Sequence, residues 1–481
     1  MARISRRRLF EDSLLAAAAL AAARSARTSW AQESSGRKTG PNDTIRIAVL
    51  GVHGQGMSHV KAYLAMKDVQ VAAICDPDSN QFAKAVKAVE DAGQPTPKTV
   101  QDLRRVFDDN SIDAVSIATP NHWHALAAIW AMQSGKDVYV EKPVSHNVVE
   151  GRRIVEAARK YKRICQTGTQ IRSAAGSRAA IKYIHDGYIG KVYLSRGLCY
   201  KRRDSIGKLP DGPVPEGVDY DLWLGPAPKR PFNPNRFHYN WHWNWDYGGG
   251  DLANQGIHQM DVARWALNKD KMPIGVISLG GRFGYEDDGQ TPNTQLVFMD
   301  YGDAQLIFEV RGLPTPDLLG AKVGNIVYGT EGYVVFTSYS TAIAYDAKGA
   351  KVKEFSGGGN HHRNFIDAVR SRQASDLTAD IAEGHLSSAL CHLGNISYRL
   401  GTPQPFHPRT KAFGDDKEAY ETIGRFEKHL EENGIKLEET TYRLGPRLKV
   451  IPEKESFADN SDANALLTRQ YRSPFIVPDR V

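Results

Sequence analysis

The chain predicts an α/β protein in two parts: a doubly wound parallel sheet first, then a smaller domain with an open, mostly antiparallel sheet. Three observations carry this. From Thr44 to Thr167, short apolar strand signals alternate with amphipathic helices, the pattern of a parallel sheet covered on both faces. Gly51-Val52-His53-Gly54-Gln55-Gly56 lies where the first strand runs into the first helix. After about Ser173, strand signals follow one another without helices between them, which argues for antiparallel pairing.

The elements follow in order. Thr44–Leu50 reads as a strand and Gly54–Met66 as a helix; Val69–Cys75 is a second strand and Gln81–Asp91 an Ala-rich helix. Ile112–Ala118, Asp137–Val140 and Arg163–Thr167 complete the strands, with helices over Trp123–Ser134 and Val148–Lys160. A helix ending near Asp186 leads to the strand Val192–Tyr200, then a Pro-, Gly- and Trp-rich insertion runs to Tyr247. Strands are expected over Gly275–Gly280, Thr294–Phe298, Ala304–Val310, Asn325–Tyr328 and Tyr333–Thr337, and helices over Asn364–Ser371 and Ile381–Leu400. The charged, Pro-punctuated stretch beyond Gly401 has no clear periodicity.

Bulk composition narrows the class. A chain of 481 residues, 41% hydrophobic, is long enough for two cores. Its formal charge of +7 is concentrated at the start, where six arginines among the first 31 residues face only Glu11 and Asp12. The remainder carries too little positive charge to argue for nucleic acid or an anionic membrane as partner. Arg7-Arg8-Leu9-Phe10, the apolar run Ser13–Ala23 and Ser29-Trp30-Ala31 read as a twin-arginine signal peptide cut before Gln32. The expectation is an exported, periplasmic protein without stable membrane insertion, because the apolar run is too short to span comfortably. Cys75, Cys165, Cys199 and Cys391 form no C-x-x-C pair and nothing demands a disulfide; Cys75 and Cys165, in apolar strand-like runs, are expected as buried small hydrophobes.

The chemistry-bearing residues fall at strand ends. Glycines at 51, 54 and 56 let a backbone approach a pyrophosphate, whose charge the helix N-terminus favours. That suits a dinucleotide-binding domain, with an ordinary Gly-rich strand-to-helix turn as the alternative. Asp76 ends the second strand, where an acid accepts both ribose hydroxyls and repels a 2′-phosphate, so NAD is favoured over NADP. Asn121 and His124 stand at the exit of the third strand as donors to cofactor or substrate; His122-x-His124 lacks further ligands, and no metal is expected. Glu141-Lys142-Pro143 ends the fourth strand, with Pro143 holding Lys142 extended so that its amine is aimed. A helix from about Asp251 would carry Asn254, His258 and Asp261 on one polar face. Before it, Arg236–Tyr247 is dense in aromatics, Trp241 among them, suited either to stacking on a sugar or to an interface or core.

Taken in order, these motifs resemble the glucose–fructose oxidoreductase / inositol dehydrogenase / MocA (Gfo/Idh/MocA) family, from about Thr44 to Leu400. The resemblance implies a C-terminal α/β domain whose open sheet serves homo-oligomerisation. It makes Lys142 and His258 the catalytic pair, and lines the cofactor with Gly51, Gly54, Gln55, Gly56, Asp76, Asn121, His124, Glu141 and Lys142. Lys142, Trp241, Asn254 and His258 would meet the substrate. Many dehydrogenases of the family carry Asp four residues before the His; Asn254 stands here, and an amide takes no proton, so it is assigned to substrate binding. The expected division is 1–31 signal peptide, 32–43 leader, 44–170 Rossmann domain, 171–405 substrate and oligomerisation domain, and 406–481 C-terminal extension.

The resulting expectation is an exported NAD(P)-dependent oxidoreductase acting on a secondary hydroxyl of a sugar or cyclitol. Free NAD is scarce outside the cytoplasm, so the dinucleotide would be tightly bound and regenerated in place. Two alternatives stand beside it: a redox-neutral glycoside hydrolase that oxidises, eliminates and reduces back, and a carbohydrate-binding protein without catalysis.

Overall fold

The computed structural model describes residues 43–481; the twin-arginine segment and most of the leader lie outside the described residues. The first sheet is built from β1 (Ile45–Leu50), β2 (Val69–Cys75), β3 (Lys98–Val100), β4 (Ala114–Ile117), β5 (Asp137–Val140) and β6 (Cys165–Thr167). Its order is β3-β2-β1-β4-β5-β6, every pair parallel. The order reverses beside β1, which opens a crevice at the strands' carboxyl ends. Helices α1 (Gln55–Leu64), α2 (Phe82–Asp91), α3 (Asn121–Gln133) and α4 (Val148–Lys160) return the chain between strands. β1 and β4 are apolar on both faces because helices cover both sides, which is why neither alternates. α4 starts sharply: Asn147 accepts the Glu150 N–H at 2.9 Å while the Glu150 carboxylate accepts the His146 N–H at 2.8 Å, a reciprocal cap. β3 went unpredicted because three residues leave no period to read.

After α5 (Ala175–His185) and β7 (Val192–Cys199), residues 201–249 leave the second domain as the long insertion. α6 (Gly256–Ala266) is followed by β8 (Gly275–Gly281), β9 (Thr294–Asp300), β10 (Gln305–Arg311), β11 (Val323–Gly329), β12 (Gly332–Phe336), β13 (Thr341–Asp346) and β14 (Lys351–Ser356). Then come α7 (His361–Ser371), α8 (Ile381–Arg399), β15 (Thr402–Pro405), α9 (Lys417–Glu432), β16 (Thr441–Leu444), β17 (Leu448–Ile451) and β18 (Ser456–Phe457). The second sheet runs β14-β13-β12-β11-β7-β10-β9-β8-β16-β15, antiparallel except where β7 and β10 run together. The β13–β14 hairpin, unpredicted, forms its edge; β14 is nearly all exposed and charged, so it shows no apolar alternation.

Alternation along β9 sorts the faces. Val297 and Met299 pack with Ile257, Met260, Leu390 and Leu393 under α6 and α8, while Leu296 and Phe298 face Ile423, Phe426 and Leu430 of α9. The stretch after Gly401, which the sequence left unplaced, is therefore integral: β16 and β17 pair with β8, and α9 covers half of the outer face. α7 returns to the first sheet, with Phe365, Ile366 and Val369 packed against Ile45, Tyr63 and Tyr139. All four cysteines are buried and unpaired. Among the described residues no helix is long and apolar enough to cross a membrane.

Phe426 is 1% exposed at the centre of the α9 contact. Replacing Phe426 with Ala is expected to cost about 3–5 kcal/mol, read as a lower urea midpoint for loss of near-UV dichroism, with the first sheet's crevice unaffected.

Candidate active site

A cavity of about 480 Å³ opens at the carboxyl ends of β1, β2, β4 and β5, between the first sheet and the insertion. Its floor is the glycine loop. Gly51 has φ +82°, and a Cβ there would stand 2.8 Å from the Ala118 carbonyl oxygen; a Cβ on Gly56 would reach 1.7 Å from the Gly51 oxygen. Gly54 faces open space. No side chain caps α1, so its first N–H groups remain available to an anion over the loop. Three buried polar atoms of cavity-lining residues have no protein partner: Thr119 Oγ1, Gln170 Oε1 and His258 Nδ1. The loop, the open helix end and these orphaned atoms fit a dinucleotide.

Asp76 stands at the exit of β2. Its carboxylate accepts the Val52 N–H at 2.8 Å and the Asp78 N–H at 3.0 Å, which aims the acid across the loop and leaves lone pairs over for ribose hydroxyls. Burial pushes its pKa up to about 6, against the opposing pull of those amides. Asp78 adds a second carboxylate, and its Oδ2 lies 3.3 Å from His238 Nε2 of the insertion. His238 stacks on His53 of the glycine loop at 4.1 Å.

The β5 exit carries Glu141 and Lys142. Glu141 is buried; its Oε1 meets His59 Nε2 at 3.1 Å, and its Oε2 accepts the Lys142 backbone N–H at 3.2 Å. His59 is fixed in turn by Ser116 Oγ at 2.9 Å, to which Tyr63 donates at 3.1 Å. Burial alone would raise Glu141, but the His59 contact and the Lys142 charge hold it well below the usual carboxylate range. Lys142 is half-buried, and its Nζ donates to the Asn254 carbonyl oxygen at 3.0 Å. Burial lowers its pKa, helped by Lys201 and Arg203 and opposed by Glu141 and Asp251. An amine so placed gives up its proton more readily than a free lysine.

The opposite wall corrects one expectation. No continuous helix starts at Asp251: a short turn, Gly250–Ala253, ends at Asn254 (φ −86°, ψ −80°), and α6 starts at Gly256. Asn254 therefore lies off the helix, while His258 and Asp261 keep the expected spacing of three on α6. Asn254 and His258 line the cavity, whereas Asp261 is buried in a two-pronged pair with Arg172 at 2.7 and 2.9 Å. The reason is energetic, since a buried carboxylate needs a fixed cation and Arg172 supplies it outside the cavity. The break lets Asn254 present its carbonyl to Lys142, the contact its side-chain chemistry did not suggest. Burial draws His258 down to about 3, with Lys142 adding to the shift, so the ring is neutral.

Of the other assigned residues, Gln55 lies 3.5 Å from Glu141 and Asn121 opens α3 at the cavity wall. His124 has both ring nitrogens at carbonyls, Pro143 at 2.6 Å and Thr119 at 2.8 Å, and so braces two strand exits rather than offering a donor inward. His122 turns to the Trp223 carbonyl at 2.9 Å, and the described residues hold no cluster of three metal-ligating side chains. Trp241 lines the cavity while belonging to the insertion's own aromatic core with Trp223, Phe237 and Tyr247. Its ring lies 3.6 Å from that of His242, whose Nδ1–H donates to the Tyr239 carbonyl at 2.5 Å and whose Nε2 keeps its lone pair. Sequence reasoning did not single out His242, Lys201, Arg203, Gln170 or Tyr339. His242 lay within the aromatic segment already noted, but Gln170 and Tyr339 reach the cavity from connections that carry no local signal.

Residues 45–169 match a family model described as oxidoreductase family, NAD-binding Rossmann fold, and residues 182–431 match oxidoreductase family, C-terminal alpha/beta domain. The chain belongs to the Gfo/Idh/MocA oxidoreductase family. Among curated relatives, a glycosyl hydrolase family 109 protein of Saccharopolyspora erythraea is 30% identical over 160 residues, covering 32% of this chain and 35% of that protein. Another, from Shewanella pealeana, is 30% identical over 154 residues, 31% and 34% of the two chains. The match thus spans about a third of the length of these relatives. Levoglucosan dehydrogenase in complex with NADH and L-sorbose superposes with a TM-score of 0.56 at 18% identity, covering 73% of this chain and 95% of that one. The WlbA dehydrogenase of Bordetella pertussis, solved with NADH and UDP-GlcNAcA, gives 0.53 at 19% identity over 72% and 94%. At these identities the two structures share the fold.

Ionised Asp76 accepts hydroxyl hydrogens, so NAD affinity is expected to hold steady above about pH 6 and to fall below it, by up to about tenfold per unit. Titrating NAD by fluorescence across that range checks this, and Asp76→Asn should flatten the profile.

Proposed function

We propose that this oxidoreductase acts on a secondary hydroxyl of a sugar or cyclitol, using an NAD that stays bound between turnovers. One observation carries the reading: the Lys142 amine is fixed at 3.0 Å from the Asn254 carbonyl, in the cavity that also holds the glycine loop and Asp76. With its pyrophosphate held at the glycine loop, a bound NAD would supply the hydride acceptor. Lys142 takes the hydroxyl proton as the C–H bond gives up its hydride, while neutral His258 hydrogen-bonds the same oxygen. Glu141 holds the Lys142 backbone in place, and its charge steadies the ammonium that forms. Trp241 offers an aromatic face to sugar C–H groups, and His242 Nε2 accepts from a hydroxyl.

The choice of NAD over NADP rests on the charge layout. Asp76 and Asp78 stand at the β2 exit, about 14 Å by strand spacing from the β5 exit. The cavity's Lys and Arg side chains are Lys142, Lys201 and Arg203; the last two perturb Lys142 and so lie near it. A 2′-phosphate would meet carboxylates and no guanidinium.

A redox-neutral cycle is the second reading, supported by the partial similarity to glycosyl hydrolase family 109 proteins. The sugar hydroxyl is oxidised, the ketone acidifies the neighbouring C–H, the C1 group leaves, water adds, and the hydride and proton return. Lys142 holds the proton of the first step and restores it in the last. Export by the twin-arginine route belongs to the same proposal, because a retained cofactor suits a compartment poor in free NAD.

Denaturing the purified protein is expected to release NAD, and a panel of sugars should reduce the bound nicotinamide in the native protein. Lys142→Met should slow that reduction by about 100-fold or more with NAD still bound. Sugar binding without any absorbance change would instead mark a non-catalytic binder, and release of aryl groups from aryl glycosides would select the redox-neutral cycle.

A further inference from the structure

Residues 469–477 line no part of the cavity, yet they tie its roof to α3 of the first domain. The roof is the insertion, whose Trp223, His238 and Trp241 face the cavity. Near the adenosine end it is bonded to the first domain through Asp219 N–H to the Pro77 carbonyl at 2.8 Å, Ser79 N–H to the Gly217 carbonyl at 3.0 Å, Gln101 to the same carbonyl at 2.9 Å, and the Asp78–His238 pair. On the other flank, Trp123 of α3 donates to the Leu222 carbonyl, His122 meets the Trp223 carbonyl and His146 the Trp245 carbonyl, each at 2.9 Å. Asn235 and the Trp243 carbonyl add bonds to Asp288 and to the Gln290 N–H of the second domain. A loop of this length keeps its place only through such contacts.

Arg472 supplies the pin on the insertion side. It donates to Asp221 Oδ1 at 2.6 Å, to the Asp221 carbonyl at 2.8 Å and to the Gly225 carbonyl at 3.1 Å, gripping the short turn Tyr220–Leu224. Phe475, 2% exposed, is anchored on the other side, edge-on to Trp123 at 5.4 Å and beside Trp130. The Arg472 guanidinium lies 4.9 Å from the Phe475 ring centre, with Arg104 5.6 Å away, so the two anchors support each other. Arg469 makes a second bridge, from the Asp246 carbonyl at 2.8 Å to His146 Nδ1 at 3.1 Å ahead of α4.

We infer that residues 469–477 are a latch that holds the insertion closed over the dinucleotide, with Arg472 and Phe475 as positioning residues of the cofactor site. The inference rests on the proposed function only in requiring that the cavity hold NAD. Retention of the cofactor is then a property of the latch as well as of the glycine loop.

The test compares the full-length wild type with Arg472→Ala, Phe475→Ala and the conservative Phe475→Leu. Each is passed over a sizing column, then denatured to count the dinucleotide it kept, and NAD dissociation is followed by competition with a fluorescent analogue. The wild type should keep its NAD. Arg472→Ala and Phe475→Ala should release it about 10- to 100-fold faster, the scale of losing charge-assisted hydrogen bonds, and Phe475→Leu should recover most of the retention. Melting of dinucleotide-free Arg472→Ala and Phe475→Leu should stay close to the wild type, whereas Phe475→Ala, which empties a buried site, should melt lower. Saturating NAD should restore kcat to Arg472→Ala while making its turnover depend on added NAD. Variants that keep NAD as the wild type does overturn the latch. So does an Arg472→Ala protein that loses melting temperature along with NAD, which would mark a general structural role. A wild type that binds NAD only loosely overturns the retention reading, and one that binds none overturns the proposed function.

Discussion

A carboxylate sealed into the end of a parallel strand stays ionised only if fixed donors surround it. At Glu141 those donors are the His59 ring and the Lys142 backbone N–H, with His59 itself held through Ser116 and Tyr63. Losing one partner would leave a buried charge uncompensated, a penalty of several kcal/mol. The network therefore fixes the geometry of the β5 exit tightly. Lys142 leaves that exit in one direction, and its amine arrives where the glycine loop and the α6 entrance converge. The rest of the site is arranged around this placement.

The second domain answers with a break in its own helix. Stopping the turn Gly250–Ala253 at Asn254 and restarting at Gly256 sends the Asn254 carbonyl and the His258 ring into the cavity. Asp261, one turn beyond His258, points to Arg172 instead. The two polar residues thus serve different ends, one facing the cavity and the other anchoring α6 to the segment after β6. Burial keeps His258 neutral and lowers Lys142, and both groups face the same cavity.

Enclosure is the third component. The insertion roofs a crevice that an open doubly wound sheet otherwise leaves to solvent. It does so with an aromatic core of its own, so Trp241 is at once part of that core and part of the cavity wall. The residues after α8 complete the body: α9 covers the outer face of the second sheet, β16 and β17 extend it, and the final stretch reaches back to α3.

Local pattern was enough to read the glycine loop, Asp76, the Glu141-Lys142-Pro143 exit and the first sheet apart from its three-residue edge strand β3, because each rests on residues adjacent in sequence and on the two-residue or 3.6-residue periods of strand and helix. The same local reading left Gln170, Tyr339 and the contact between Lys142 and Asn254 invisible, since those partners meet only when two sheets and an insertion are docked. It extended one helix through Asn254, where the structure ends a short turn and restarts the helix at Gly256, so that the Asn254 carbonyl meets Lys142. It left the stretch after Gly401 unplaced, because β16 and β17 owe their positions to pairing with β8, more than a hundred residues earlier in the chain. Neighbouring residues set which chemical groups this protein carries and at which strand ends they stand. Docking of distant segments alone decided which of those groups face one another, because desolvation and charge pairing are settled by what is near in space.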